Sequence, residues 1–250
     1  MPAPILVEAC VDSIESALAA ARGGAHRIEL CASLVEGGTT PSAGTLAVCR
    51  ARLDIPIFVL IRPRRGDFLY SAAEHAVMLE DIRGAKQAGA QGIVTGVLRA
   101  DGELDADRTR ELIAAARPLR VTFHRAFDVC RDARGALETL IALGVDRVLT
   151  SGQAATAPQG TEAIAGFVRQ AAGRITILAG GGITRDNVAP VVRATGITEV
   201  HLTGAVMHRS AMTFRADGVT IGNAAPPSEY EWSVTDAEHI RQVVAELTTP

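Results

Sequence analysis

Lysine is almost absent from this chain of 250 residues, in which Lys86 stands alone against 24 arginines. Lys86 lies within a stretch of helical pattern and not at the end of an apolar strand segment. Schiff-base catalysis needs a lysine amine held inside the active site. The sequence therefore argues against a lysine-dependent aldolase.

The chain also lacks the cysteine spacing of a disulfide framework or a zinc site. Its four cysteines, Cys10, Cys31, Cys49 and Cys130, include no CxxC pair and lie inside apolar segments. No HxxxH cluster supplies further zinc ligands. We expect four reduced thiols.

Long hydrophobic runs and an excess of basic charge are missing too. No apolar run approaches the roughly 18 residues of a membrane span, and the segment Met1–Glu8 has no basic start of the kind that opens a signal peptide. The formal charge of -3 and the pI near 6.1 argue against a nucleic-acid or membrane partner. We expect a cytoplasmic protein with a small-molecule or ion partner.

Eight short apolar segments repeat along the chain and alternate with helical patterns. The predicted strands are Pro4–Cys10, Gly24–Cys31, Pro56–Arg62, Gly89–Gly96, Pro118–His124, Gly144–Ser151, Arg174–Gly180 and Gly196–Thr203. A chain of this length with eight such units is typical of a single (β/α)8 TIM-type barrel. An open doubly wound sheet is disfavoured because no GxGxxG follows the first strand, so no nucleotide cofactor is predicted.

If the strands share a register, chemically reactive side chains gather at the C-terminal mouth of the barrel, where barrel enzymes build their sites. Glu8 and Glu29 should both point into this mouth, where two carboxylates in one apolar pocket raise the pKa of at least one of them. His124 ends the fifth strand as a candidate acid or base. Arg62 could clamp an anion or a developing oxyanion.

A second group of residues could bind a substrate anion. Arg64 lies in the arginine-rich loop after the third strand, and the glycines after the seventh and eighth strands could offer backbone amides to a phosphate. The predicted anion-binding residues are Arg64, Ser151, Gly181, Gly182, His201, Thr203 and Gly204.

Cys10 and Cys31 align at the ends of adjacent parallel strands. Because neighbouring strands lie about 4.8 Å apart, two inward thiols at similar height could share one soft metal ion such as Cu(I). The alternative is that both are ordinary buried thiols, since free cysteine is among the most buried residue types.

Several long motifs resemble the CutC family, which is named for copper homeostasis. They are Val7–Ser13, Arg27–Cys31, Glu36–Ser42, Ile61–Arg64 with Gly66–Phe68, Val121–Asp128, Arg147–Gly152 and Gly180–Ile183. The resemblance implies a TIM-type barrel, a cytoplasmic location and a role in copper handling. It also implies that Cys10 and Cys31 match the cysteines proposed as Cu(I) ligands in animal members. The chain departs from the family pattern at His201–Ala205, which carries no cysteine.

Two hypotheses follow. The first is a copper-binding protein in which Cys10 and Cys31 give two-coordinate ligation of Cu(I). The second is an isomerase or lyase that moves protons on a small anionic, sugar-like or carbonyl substrate, with Glu8 or Glu29 as base and His124 as acid.

Residues 207–234 look irregular and should cover the site or form an interface, and a last helix should follow to about Leu247. We expect a homo-oligomer, a dimer or a tetramer.

Overall fold

A closed barrel of eight parallel strands organises the chain, and each strand pairs with the next until β8 pairs with β1. The structure is a computed structural model that describes residues 4–216, 218–219 and 229–248. The barrel strands are β1 Leu6–Val11, β2 Arg27–Leu30, β3 Ile57–Leu60, β4 Gly92–Thr95, β5 Arg120–Phe123, β6 Arg147–Thr150, β7 Thr176–Gly180 and β8 Glu199–Leu202. Seven lie within their predicted segments, and β1 extends one residue beyond its segment, to Val11, so the (β/α)8 barrel is confirmed.

A helix follows each of the first seven barrel strands, and an eighth follows β8 after the hairpin described below. The helices are α1 Ile14–Arg22, α2 Ala43–Arg52, α3 Ala72–Gln87, α4 Ala106–Ala116, α5 Ala133–Ala142, α6 Thr161–Ala171, α7 Arg185–Thr195 and α8 Ala237–Thr248. Ser71 and Glu74 form a reciprocal capping box at the start of α3, as their spacing predicts. At α8 the cap is Asp236, which accepts from the amides of Glu238 and His239. None of the helices in the described part of the chain is long and apolar enough to cross a membrane.

Strand side chains alternate between two cores. Outward-facing residues such as Ile28, Ile57 and Phe123 pack against the helices in one large cluster. Inside the barrel a second cluster brings Cys10 and Cys31 together with apolar side chains, namely Phe58, Leu60 and Val94. The site described below is built on this inner face.

An antiparallel hairpin follows the barrel. Strand β9, Ala205–Arg209, pairs with β10, Glu231–Thr235. The sequence predicted irregular chain over 207–234, and the structure instead forms strands at both ends of that stretch. Residues 217 and 220–228 of this stretch lie outside the described residues. The predicted final helix is present as α8.

Candidate functional site

Two thiols meet where β1 and β2 end. Sγ of Cys10 lies 3.6 Å from Sγ of Cys31, and the two residues are 6% and 1% exposed. The parallel pairing sets Cys10 beside Glu29, and Oε1 of Glu29 lies 3.6 Å from the sulfur of Cys31. The ligand atoms of Cys10, Glu29 and Cys31 lie within 4.8 Å of one another.

A histidine and a second carboxylate adjoin the thiols from β8 and β1. Nδ1 of His201 lies 2.8 Å from Oε1 of Glu8 and 3.6 Å from Oε2 of Glu29. This places the predicted residues Glu8, Glu29, His201, Cys10 and Cys31 in one connected buried group, which we call the thiol–carboxylate cluster.

The pKa values of the two carboxyl groups of the cluster are shifted in opposite directions. Burial opposes the ionisation of Glu8, but Arg27 and His201 outweigh it and lower the pKa of Glu8 to about 2. Burial, together with the charges on Cys10 and Glu8, raises the pKa of Glu29 to about 8. At neutral pH Glu8 is therefore ionised and Glu29 holds its proton, a division of the kind that acid and base partners show.

The two thiols differ in the same way. A hydrogen bond from Cys31, with help from His201, lowers the pKa of Cys10 to about 6 although burial opposes this. Burial and the neighbouring Cys10 raise the pKa of Cys31 well above its usual range. Burial disfavours the charged form of His201, but Cys10 and Glu8 raise its pKa above the usual value. At neutral pH the pair therefore has one thiolate and one thiol, with a positive imidazole ring beside them.

Beneath the cluster, an ion-pair chain crosses the barrel interior. Arg27 contacts Glu8 through Nε and lies 2.7 Å from Glu199, which also accepts from Arg147 at 2.8 Å. Both guanidinium groups lie over the ring of Phe58, at 4.8 and 5.1 Å from its centre. The sequence analysis did not identify Arg27, Arg147 and Glu199 as residues of the site. Residues two positions apart on a strand point to the same face. The three charged residues lie two positions before residues already predicted to face inward: Arg27 before Glu29, Arg147 before Leu149 and Glu199 before His201.

Arg62 and His124 lie on another side of the mouth, around Phe68. The guanidinium of Arg62 donates to the carbonyls of Glu36, Gly38 and Gly66, so most of its donors are already used. No hydrogen bond or ion pair among the described residues joins Arg62 or His124 to Glu8 or Glu29. The predicted meeting of all four residues at one reaction centre therefore remains a prediction.

His124 sits in an apolar setting. Its ring lies 4.8 Å from that of Phe68 and against Gly96, where an added Cβ would come within 2.6 Å of the imidazole. Burial, followed by the charge of Arg62, lowers the pKa of His124 to about 3. Nδ1 accepts from the amide of Ala126, so the proton of the neutral ring is on Nε2, which is buried and has no partner among the described residues. At neutral pH His124 can therefore donate only as a neutral imidazole.

The predicted anion-binding residues fall into two places. Arg64 is paired with Glu74 at 2.6 Å and Asp67 at 3.0 Å on the surface of the β3–α3 loop. Ser151 is buried and hydrogen-bonded to Asp128 and the carbonyl of Ala154. The others, Gly181, Gly182, His201, Thr203 and Gly204, line one cleft after β7 and β8.

Comparisons with known proteins agree with these findings. The model of the CutC family matches residues 5–206. The human copper homeostasis protein cutC homolog is 50% identical over 240 residues, covering 96% of this chain and 88% of that protein. A crystal structure of a CutC protein from Streptococcus agalactiae superposes with a TM-score of 0.77 at 33% identity, covering 80% of this chain and 98% of that one. Phosphoribosylanthranilate isomerase from Thermotoga maritima has a TM-score of 0.58 at 12% identity, covering 97% of this chain and 98% of its own, and shows likeness of fold alone.

Proposed function

Because this chain belongs to the CutC family, we propose that it binds copper as Cu(I) through Cys10 and Cys31 and takes part in copper homeostasis. The observation that carries this proposal is the contact between two buried thiols, 3.6 Å apart, at the mouth of the barrel. The names of the mouse and human relatives, both copper homeostasis protein cutC homologs, give it its biological setting.

The chemistry of the thiol pair suits a soft cation. Thiolate sulfur prefers Cu(I) over the harder divalent ions. Cys10, with its pKa lowered to about 6, supplies one thiolate at neutral pH. Binding at the second sulfur requires the loss of only one more proton, from Cys31. The apolar side chains of Phe58, Leu60 and Val94 enclose the pair and shield the reduced ion from water.

The distance between the sulfurs favours a third ligand. Sulfurs on opposite sides of an ion would lie about 4.6 Å apart, twice a metal–sulfur bond of about 2.3 Å. The observed 3.6 Å is shorter than this, so at this separation both sulfurs would lie on the same side of the ion. Glu29, next to Cys31, is the group placed to complete the set, and it would release its proton on binding the ion. The two-coordinate arrangement expected from the sequence is thereby extended to Cys10, Cys31 and Glu29.

The other buried carboxylate of the cluster, Glu8, is less suited to hold an ion. Glu8 is already bound by Arg27 and His201, so a metal at Glu8 would have to displace two cationic partners.

Leu34 and His201 line the cleft after β7 and β8. Leu34 also packs against the thiols, and His201 contacts the carboxylates. Copper would reach the thiols past these two side chains.

A titration of the reduced apoprotein with Cu(I), in competition with a chromogenic chelator, tests the proposal. We expect one Cu(I) ion per chain for the unmodified protein and none in the presence of chelator for Cys10→Ser with Cys31→Ser. The matched control is Cys49→Ser with Cys130→Ser, which removes the other two buried thiols and should bind as the unmodified protein does. Equal Cu(I) affinity in the two double variants would reject the site.

The cellular setting and assembly belong to the same proposal. Four free, buried cysteines support a reducing, cytoplasmic location. Apolar side chains exposed on and beside the hairpin, Met212, Phe214 and Trp232, support a homo-oligomer that covers them. Light scattering of the unmodified protein and of Phe214→Ser with Trp232→Ser tests this. A monomeric mass for the unmodified protein would contradict assembly.

A further inference from the structure

The cleft after β7 and β8 is distinct from the thiol pair, and the copper proposal leaves it without a ligand. Its volume is about 730 Å³, which lies within the usual range for small-molecule sites of about 300–1,000 Å³. It is formed by the β7–α7 loop, the end of β8 and the first half of α8, with Arg125 contributed from the turn after β5.

Arg125 is held rigidly at the edge of this cleft. Its Nε lies 2.7 Å from Asp128, and its Nη2 lies 2.8 Å from Oγ of Ser151. Asp128 is itself fixed by the amides of Ser151 and Gln153. The remaining nitrogen, Nη1, forms no hydrogen bond with any residue that the structure describes. A guanidinium with two nitrogens tied to fixed acceptors and one left free is preorganised to bind an anion.

Backbone amides of the β7–α7 loop face the same space. The N–H groups of Gly181, Gly182 and Ile183, all lining the cleft, donate to no acceptor within the described ranges. Gly181 and Gly182 have φ values of +94° and +74°, a backbone conformation that turns successive amides to one side and that a larger residue would adopt only with strain. An added Cβ on Gly181 would lie 3.3 Å from Nη1 of Arg125. The free guanidinium nitrogen therefore lies beside Gly181, the first residue of this run of free amides.

The start of α7 contributes less than its position suggests. The backbone amide of Thr184 donates to Oδ1 of Asn187, and the backbone amide of Asn187 donates to the carbonyl oxygen of Thr184. Arg185, the next residue, is paired with Glu246, and Asp186 also lines the cleft. The anion-binding capacity thus lies in the loop before the helix and in Arg125.

We propose that this cleft binds the phosphate group of a small organic phosphate monoester, with Arg125 and the amides of Gly181, Gly182 and Ile183 as its donors. A phosphate monoester offers several acceptor oxygens and a double negative charge, and this matches the free Nη1 of a charged guanidinium and three amides better than a single carboxylate does. The rest of the cleft, towards Thr203, Gly204 and α8, leaves room for a carbon skeleton of sugar size. This site does not depend on Cys10 or Cys31.

The test is an amide NMR titration of the full chain with three probes: inorganic phosphate, a pentose 5-phosphate and the same pentose without phosphate. We expect both phosphate-bearing probes to shift the amide signals of Gly181, Gly182 and Ile183 at millimolar concentration, and the free pentose to shift none of them. The pentose 5-phosphate should bind more tightly than inorganic phosphate because its carbon skeleton adds contacts. Absence of these shifts with both phosphates, or equal binding of the free pentose, would overturn the proposal.

Variants separate the site from its surroundings. Arg125→Ala should weaken binding of the pentose phosphate by about tenfold or more, the effect of losing a hydrogen bond to a charged group. Arg125→Lys keeps the charge without the planar guanidinium that bonds Asp128 and Ser151 while leaving Nη1 free, and it serves if the alanine variant does not fold. Arg99→Ala, which removes a half-exposed arginine paired with Asp101 in the β4–α4 loop outside the cleft, is the matched control and should bind normally. Cys10→Ser with Cys31→Ser should also bind normally, so this test does not depend on the copper result. Unchanged affinity in both Arg125 variants would exclude Arg125 as a ligand.

Discussion

Nδ1 of His201 lies 2.8 Å from Oε1 of Glu8, and this contact joins the last strand of the barrel to the first. Glu8 is fully buried and also contacts Arg27, so one carboxylate is held by a cation on each side. His201 in turn reaches Glu29 and lies beside the thiol pair. The seam where the barrel closes is therefore also the place where its charged groups meet the candidate metal ligands.

Replacing Arg27 with methionine should destabilise the protein strongly. The variant leaves Glu8 with His201 and Glu199 with Arg147 as the remaining cationic partners, and breaking a buried pair on one side costs about 3–5 kcal/mol. Urea unfolding measures the loss. Arg185→Ala removes an arginine from a largely exposed pair and should cost less than about 1 kcal/mol. Similar losses in the two variants would show that the interior network contributes no more than a surface pair.

Glu29→Gln should change how the stability of the apoprotein depends on pH. The pKa of Glu29 rises from an ordinary value of about 4.3 to about 8 on folding. Its favourable contribution is therefore complete below the unfolded pKa and is lost as pH rises through about 8. Relative to the unmodified protein, Glu29→Gln should gain stability between pH 5 and 9. A constant difference between the two proteins over that range would contradict the raised pKa.

His124 should remain a neutral imidazole well below neutral pH. Its pKa is lowered to about 3 by burial and by Arg62, so the stability tied to its neutral form is lost only as pH falls from about 6.5 towards this value. Side-chain nitrogen NMR at pH 5 should show a neutral ring with its proton on Nε2, and His124→Asn identifies the signal. A doubly protonated ring at pH 5 would count against this account.

Cys31→Ala should make Cys10 a weaker acid. The hydrogen bond from Cys31 is the main cause that lowers the pKa of Cys10 to about 6, so its removal should move this pKa towards about 8.5. Thiolate absorbance followed through a pH titration, with Cys49 and Cys130 replaced by alanine in both proteins, reports the shift. An unchanged low-pH step would mean that His201 alone sets the acidity of Cys10.

Sequence periodicity was sufficient to predict the barrel because each strand segment is apolar and bounded by glycine or proline. It also predicted that Glu8, Glu29 and the two cysteines meet, since inward alternation and a shared register fix which side chains face the axis. It could not predict the partners of Arg62. A guanidinium on a flexible stem finds its acceptors among loop carbonyls, and loop conformation leaves no periodic signal.

Two further features could not be predicted from the sequence, for related reasons. Arg27, Arg147 and Glu199 lie at strand starts, where charged residues usually face solvent, and only the completed barrel shows that they neutralise each other inside it. Strands β9 and β10 pair across a long insertion. Their exposed residues give no clear alternation, so the chain there looked irregular.

X-ray absorption at the copper edge of the Cu(I)-loaded protein tests the central claim most directly. With Cys10, Cys31 and Glu29 as ligands, the spectrum should contain two sulfur neighbours and one lighter atom, and the sulfur signal should persist after replacement of Cys49 and Cys130 by serine. It should disappear in Cys10→Ser with Cys31→Ser. A spectrum with only oxygen and nitrogen neighbours, or one that is the same in the Cys10 and Cys31 double variant, would contradict copper binding at the thiol pair.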